Sequence, residues 1–313
     1  MRSLLALLAG VLLALAARAE APLPMKAQQV GKHSWYVQGL PGAATRLNQG
    51  FMSNAGFVIT KEGVVVFDAL GTPALARQLI GKIRKLTRQP IRRVIVSHWH
   101  ADHYYGLQEF KAAGAEIWAH EAARGALGTE AAADRLAQRR ELLAPWIGAD
   151  FKVVPADLWL AGDTDFRLGG LTFRIRHVGP AHSAEDLAMY VEEDGVLFSG
   201  DLVFKGRVPF VGEADSRSWL GALDRLLALQ PRVLVPGHGA ASRSPQADLG
   251  LTRDYLADLR DKMGRAVADF LPFDEAFAAA DWSRWSGLPA YAEAHRRNAF
   301  NTYVLMEREA LAK

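Results

Sequence analysis

Short apolar runs alternate with longer amphipathic ones along most of the chain. His33–Gln38, Ala55–Thr60 and Val64–Phe67 read as strands, the last two joined by a Lys61-Glu62-Gly63 turn. Further strands are expected at Val94–Val96, Ile117–Ala119, Leu171–His177, Leu187–Val191, Val196–Phe198 and Val233–Val235. Between them the period changes. Thr72 supplies a helix N-cap and Pro73 a first-turn proline, after which Leu75, Leu79, Ile83 and Leu86 recur at helical spacing. That helix should lay one face on a sheet. Ser216 opens another, whose Trp219, Leu220, Leu223, Leu226 and Leu227 form an apolar stripe belonging to the core. Beyond Gly239 the pattern turns helical, with Tyr255, Leu259 and Met263 on one face. Asp281–Gly287 is a polar break containing Trp282 and Trp285, and Phe300, Tyr303, Val304 and Glu307 fit a last amphipathic helix. The stretch from Glu121 to Asp150, with Trp146 near its end, reads as an insertion that forms a lid or an outer helical layer. Alternating strands and helices predict an α/β layered domain.

The N-terminus stands apart from this pattern. Arg2, an apolar run from Leu4 to Ala17 and the small-x-small site Ala17-Arg18-Ala19 read as a signal peptide over residues 1–19. The run is too short to span a bilayer comfortably, and no cysteine follows it to carry a lipid. The expected location is the periplasm, with no stable membrane insertion after cleavage; an uncleaved N-terminal anchor is the alternative. Residues 20–240 then form the catalytic domain. Residues 241–313 form a helical extension that covers the outer helices, completes a cleft wall or makes a dimer contact.

Charge changes little in this picture. The chain has 37 basic and 34 acidic residues. Loss of Arg2 and Arg18 with the signal leaves 35 against 34, so the mature protein is nearly neutral. Such a balance gives no electrostatic footprint for nucleic acid. The expected partner is a small-molecule substrate, and the oligomeric state stays open. The lack of cysteine excludes disulfides, a thiolate metal ligand and a catalytic thiol.

The chemistry is concentrated in His98-Trp99-His100-Ala101-Asp102-His103, directly after the apolar Val94-Ile95-Val96. Three imidazoles and a carboxylate so close together, on a loop at a strand end, are a nest for two metals. Imidazole and carboxylate suit zinc, and also iron or manganese. More ligands follow at long range: His182 in Gly179-Pro180-Ala181-His182-Ser183, Asp201 after Val196–Gly200, and His238 in Pro236-Gly237-His238-Gly239. Each lies in a glycine-containing turn, where a rigid sheet can hold a side chain over a shared cleft. His33, His120, His177 and His295 lack such settings and read as ordinary surface or half-buried residues. Ser183 has no nucleophile-elbow pattern around it and reads as a turn hydroxyl.

From about Asn54 to Gly239 these motifs resemble the metallo-β-lactamase superfamily, in order: Asp68 after Val64–Phe67, the His98–His103 cluster, His182, Asp201 and His238. The resemblance implies an αββα sandwich of two facing mixed sheets with the metals at one edge, followed here by the C-terminal helical extension. It implies that His98, His100 and His182 hold one metal and Asp102, His103 and His238 a second, with Asp201 bridging both. Asp68 would orient the cluster loop rather than bind metal. The catalytic carboxylates would thus be Asp102, Asp201 and, indirectly, Asp68.

The implied cofactor is two Zn2+ ions, with iron or manganese as alternatives. The implied function is an exported dinuclear hydrolase that uses a metal-bridging hydroxide on a small ester, thioester, lactone or related acyl substrate. Asp201 is similar to the bridging carboxylate of glyoxalase II, lactonase, phosphodiesterase and sulfatase branches. The B1 β-lactamases have cysteine there. Lys205 nevertheless lies one residue beyond the place of their substrate-carboxylate lysine, so β-lactam hydrolysis stands as an alternative, main or promiscuous. An iron-dependent redox enzyme of the same fold, and a non-catalytic metal or ligand binder, are readings from other classes. Glutathione thioesters fit an exported chain poorly. His177–Pro209 resembles exported metallohydrolases of quinoprotein or sulfur-oxidation systems. Trp99, Tyr104, Tyr105, Phe204, Lys205 and Arg207 flank the ligands and are the expected substrate contacts. Export itself has a direct check: the secreted protein should begin at Glu20 or within a few residues of it by mass spectrometry. An intact Met1 on a cytoplasmic protein would contradict it.

Overall fold

A computed structural model of the chain describes residues 23–212 and 214–312; the signal-peptide expectation for residues 1–19 lies outside the described residues. Seven strands form the first sheet in sequence order: β1 (Ala27–Gln29), β2 (Ser34–Val37), β3 (Ala55–Ile59), β4 (Val64–Phe67), β5 (Ile91–Ile95), β6 (Glu116–His120) and β7 (Leu158–Leu160). They run antiparallel from β1 to β4 and parallel from β4 to β7. The second sheet takes the order β12-β11-β10-β9-β8, from β8 (Thr164–Leu168), β9 (Leu171–His177), β10 (Leu187–Val191), β11 (Val196–Phe198) and β12 (Val233–Val235). Only its β11–β12 pair is parallel.

The central strands are apolar on both faces because both faces are covered. In β4, Val65 and Phe67 point between the sheets, where they join Ile95, Ile175, Met189 and Phe198. Val64 and Val66 point the other way, under Leu75, Leu79 and Ile83 of α1 (Pro73–Leu86). On the far side, Ala188, Leu197 and Leu234 meet Trp219, Leu223 and Leu226 of α5 (Ser216–Ala228) and Tyr255 and Leu259 of α6 (Pro245–Ala268). Each fully buried Leu, Val or Phe contributes on the order of 1.5–3 kcal/mol through surface removed from water. The layers are therefore α-β-β-α. Thr72 caps α1 by accepting from Leu75 N (3.3 Å), as its sequence indicates.

Four more helices precede or follow the sandwich edge: α2 (Ala101–Tyr104), α3 (Leu107–Ala112), α4 (Glu130–Leu142) and the short α8 (Ser283–Ser286). α7 (Phe273–Ala279) and α9 (Tyr291–Leu311) complete the C-terminal set. Several expectations need correction. Leu86 is 43% exposed, because α1 ends there and its last turn leaves the sheet. Asp281–Gly287 is not an open polar break: it contains α8, and Trp282 and Trp285 are both buried. α9 begins at Tyr291, ahead of the Phe300 stripe. His120 and His295 are buried rather than surface or half-buried residues; His120 stacks on His177 and His295 pairs with the Tyr255 hydroxyl (2.9 Å). α4 occupies the insertion and buries none of its residues, as an outer helix does.

Candidate metal centre

Parallel strands put their C-terminal ends on one rim, and the ligand-bearing turns follow those ends. β4 leads to Asp68, β5 to His98, β9 to His182, β11 to Asp201 and β12 to His238. Two glycines permit the close approach of these turns. A Cβ on Gly237 would overlap Asp201 Oδ1, and one on Gly239, at φ +98°, would overlap the Lys205 carbonyl. Asn54 ties the His238 turn down: its Nδ2 donates to Pro236 O (2.7 Å) and Gly239 O (2.8 Å), while Oδ1 accepts from Gly39 N (3.0 Å).

The outward-facing ring nitrogens are committed before any metal arrives. Ser97 N and Oγ donate to the two oxygens of Asp68 (2.7 and 2.8 Å), so Ser97 Oγ accepts from His98 Nδ1 (2.9 Å). His103 Nδ1 donates to Asp68 Oδ2 (2.8 Å), and His238 Nδ1 to Met52 O (2.8 Å). Three Nε2 lone pairs are thereby turned inward, the usual task of groups behind metal ligands. They converge in two sets. His98 Nε2 and His182 Nε2 each lie 2.9 Å from His100 Nδ1, and Asp201 Oδ2 faces the two Nε2 atoms at 3.8 and 3.5 Å. In the other set, Asp201 Oδ1 is 3.1 Å from His103 Nε2 and 3.3 Å from His238 Nε2. Asp102 Oδ2 is 3.5 and 3.4 Å from the same atoms. One carboxylate thus turns one oxygen to each set.

These residues fit metal ions. Asp102 Oδ2, His103 Nε2 and Asp201 Oδ1 are buried with no hydrogen-bond partner. Buried lone pairs aimed at buried carboxylates are costly unless a cation lies among them. Each set brings its donor atoms within 4.8 Å of one another. Nitrogen and oxygen donors without sulfur suit zinc, iron or manganese.

The two sets differ electrostatically. Burial keeps His98 neutral and pulls His100 to about 3 and His182 to about 4, despite nearby carboxylates. Burial also disfavours charge on His103 and His238. There the carboxylates prevail: Asp201, Asp102 and Asp68 hold His103 well above its ordinary value, and Asp201 and Asp102 raise His238. Against burial, the same imidazoles keep Asp102 and Asp201 well below the usual carboxylate range. Burial pushes Asp68 up, against the pull of His103 and Ser97.

The expected substrate contacts are placed differently. Trp99, Tyr104 and Tyr105 are buried in the layer beneath α1, Trp99 edge-on to Tyr104 and Tyr105 against Phe151. Asp102 and His103 take the rim side of α2, so Tyr104 and the C-cap residue Tyr105 turn into the core; this corrects their expected role. Phe204 is also buried, stacked on His238 at 5.1 Å and angled to His182, so it is a wall behind the ligands. Lys205 is ion-paired with Asp248 of α6 (3.2 Å). Arg207 alone of the six puts a polar side-chain group next to a ligand ring: its Nη1 lies 3.5 Å from His238 Nδ1. The parts played by Ser97, Met52 and Asn54 were not foreseen. The only signal was the polar Ser53-Asn54 pair ahead of an apolar strand, with Ser53 Oγ donating to Asp102 O (2.5 Å).

The sequence profile described as the metallo-beta-lactamase superfamily matches residues 48–238. The chain belongs to this superfamily. Its members are metal-dependent hydrolases. Among curated relatives, the chain is 25% identical over 252 residues to a linear primary-alkylsulfatase of Pseudomonas sp., covering 68% of this chain and 47% of that one. The chain spans about half the length of the first curated relatives it matches. Its fold is similar to a metallo-beta-lactamase from Pontibacter korlensis (TM-score 0.58, 23% identity, 75% of this chain and 99% of that one). It is also similar to a stereoselective inverting sec-alkylsulfatase from Pseudomonas sp. (TM-score 0.68, 18% identity, 89% and 50%). The second match takes in more of this chain than the sandwich alone.

Two outcomes follow from the geometry. Gly237→Ala should force Asp201 out of place and reduce bound metal, read by elemental analysis of folded protein; full metal content in that variant would contradict the packing argument. The pKa asymmetry sets a pH dependence. Metal must displace protons from His103 and His238, whose values are raised, and none from His98, His100 or His182. As pH falls from 7 toward 5, affinity of the Asp102–His103–His238 set should weaken first. Calorimetry in buffers of different ionisation enthalpy should find proton release on filling that set and almost none on filling the other. Equal release from both would contradict it.

Proposed function

We propose that the chain is an exported, dinuclear zinc hydrolase of a small ester, thioester, lactone or related acyl substrate. The observation that carries this reading is the split carboxylate of Asp201, one oxygen toward each histidine set. His98, His100 and His182 would hold one ion, Asp102, His103 and His238 the other, and Asp201 both. Two divalent ions held there would supply Lewis acidity and lower the pKa of water toward neutrality, so no side-chain nucleophile is required. The protein's own part is positional. Asp68, Ser97 and Met52 fix the imidazole tautomers, and Phe204 and Trp219 keep bulk water from the back of the ligand rings.

A specific observation supports a second substrate class, sulfate esters. A curated relative, 25% identical over 68% of this chain, is a linear primary-alkylsulfatase. The β-lactam reading loses its local support, because Lys205 is engaged by Asp248.

The test combines metal analysis with a panel of neutral aryl ester, thioester, lactone, nitrocefin and aryl sulfate. Zinc with acyl-ester turnover supports the first reading, and aryl sulfate turnover alone favours the second. Iron with no hydrolysis would overturn both. Asp201→Ala should lower kcat by at least ~100-fold on every hydrolysed substrate, a loss of about 2.7 kcal/mol in transition-state stabilisation. A drop smaller than tenfold would remove Asp201 from the centre of the account.

A further inference from the structure

The end of the sandwich remote from the metal rim holds a second cleft. β11 and β12 lead to Asp201 and His238, and their opposite ends, at Val196 and Val233, lie beside the β1–β2 turn. The cleft there measures about 410 Å3, a size that takes a small ligand. Val30 and Val233, from the layer between the sheets, give it an apolar base. Lys32, Arg232 and Arg243 line it with cations, and Asp194 is its one acidic residue. Three positive charges against one negative leave a surplus of two.

Little of this charge is satisfied within the protein. The side chains of Lys32 and Arg243 make no hydrogen bond or ion pair among the described residues, and Arg232 gives a single N–H, from Nη2, to Glu193 O (3.1 Å). Asp194 is buried and engaged elsewhere. Its Oδ2 accepts from His33 N (2.7 Å), which ties the β1–β2 turn of the first sheet to the β10–β11 turn of the second. Neighbouring cations of the second sheet are paired, Arg174 with Glu192 and Arg176 with Asp165. The walls are closely fixed. A Cβ on Gly31 would overlap the Asp194 carboxylate, and one on Gly195, at φ +64°, would overlap Arg232 Nε. Arg232 N and Val233 N both donate to Gly195 O (2.8 and 3.1 Å). Like charges gathered on such a frame repel one another, and an anion between them removes the repulsion.

We infer that this cleft is a second ligand site, separate from the metal centre, for a phosphate monoester. Such a group is close to doubly charged at neutral pH, which matches the surplus of two. Arg232 and Arg243 offer planar forks that pair with phosphate oxygens two at a time, and Lys32 adds a compact charge. Gln29 braces the turn that carries Lys32, its Nε2 donating to Lys32 O (3.2 Å). The apolar base suits the carbon part of the ester. All three cations are exposed, so the same group can arrive on a soluble ester or on a phosphatidic acid headgroup at a membrane surface. The inference is independent of the hydrolase reading, since no residue of the metal rim takes part in it.

The test uses the full chain loaded with zinc. Glycerol 3-phosphate is the soluble probe, read by calorimetry, and phosphatidylcholine vesicles with or without phosphatidic acid are the membrane probe, read by co-sedimentation. The unsubstituted chain should bind at least one of them. Arg243→Gln should weaken that binding by about fivefold, and Arg232→Gln with Arg243→Gln by about twentyfold or more, at unchanged zinc content. Lys85→Gln removes an exposed cation of α1 outside the cleft and should change the affinity by less than about twofold, which separates a site from the general charge of the surface. Vesicle binding alone assigns the site to a lipid headgroup, and glycerol 3-phosphate binding alone to a soluble ester. Arg243→Gln, at an exposed and unpaired side chain, decides the matter if the double variant does not fold. Binding of neither probe would overturn the proposal. So would an affinity that survives the double substitution, or one lost instead in His182→Ala, which would put the phosphate on the metal centre.

Discussion

Everything at the rim of this sandwich follows from one electrostatic constraint: carboxylates and imidazoles are buried together with their donor atoms facing inward. Asp102, Asp201, His98, His103, His182 and His238 are all less than a tenth exposed. In so dry a place, like-directed lone pairs repel, and unsolvated carboxylates cost several kcal/mol each. Protons relieve this partly, on His103 and His238. Metal ions among the donors would relieve it further. The groups behind the ligands make sense only in that light, because Asp68, Ser97 and Met52 each spend a hydrogen bond on keeping a ring turned toward the centre.

The rest of the fold serves to hold that unfavourable arrangement. Parallel strands bring five turns to one rim, and three apolar layers make the strands stiff. Close approach is then limited by backbone volume, which is why glycine stands at 237, directly against Asp201. The second sheet carries a further load. Its outer layer is shared by α5, α6 and the C-terminal helices, and the loop following Asp201 is pinned by the sheet at Phe204 and by α9 at Asn298. The C-terminal segment and the rim are thus mechanically one unit.

The gathering of these histidines and aspartates and the layered fold were legible in the sequence because both are patterns. Ligand residues cluster at short spacing or sit in glycine turns after apolar runs, and central strands and the α1 face show clean periods. What was not legible depends on direction rather than spacing. Trp99, Tyr104 and Tyr105 sit beside the ligands in sequence, but their rings are packed into the core. Lys205 and Arg207 look alike as letters, yet Asp248 takes one while the other reaches a backbone carbonyl, Gly42 O. Asn54 and Asn298 act as single polar residues at long range, with no motif to mark them. The edge strands β1, β7 and β8 are short, and β8 alternates Thr, Asp and Arg with apolar residues, too weak a signal against loop. Trp282 and Trp285 read as a break because their polar neighbours hid a buried turn.

The central claim is that two cations, not one, complete this rim. Its most direct measurement is metal content per chain after loading with zinc and removal of free metal by gel filtration, for the unsubstituted protein and for His182→Ala and His238→Ala. The account expects two ions per chain, falling to about one in each variant, with His182→Ala sparing the proton-linked set and His238→Ala sparing the other. A stoichiometry of one in the unsubstituted protein, unchanged by one of the two substitutions, would contradict it.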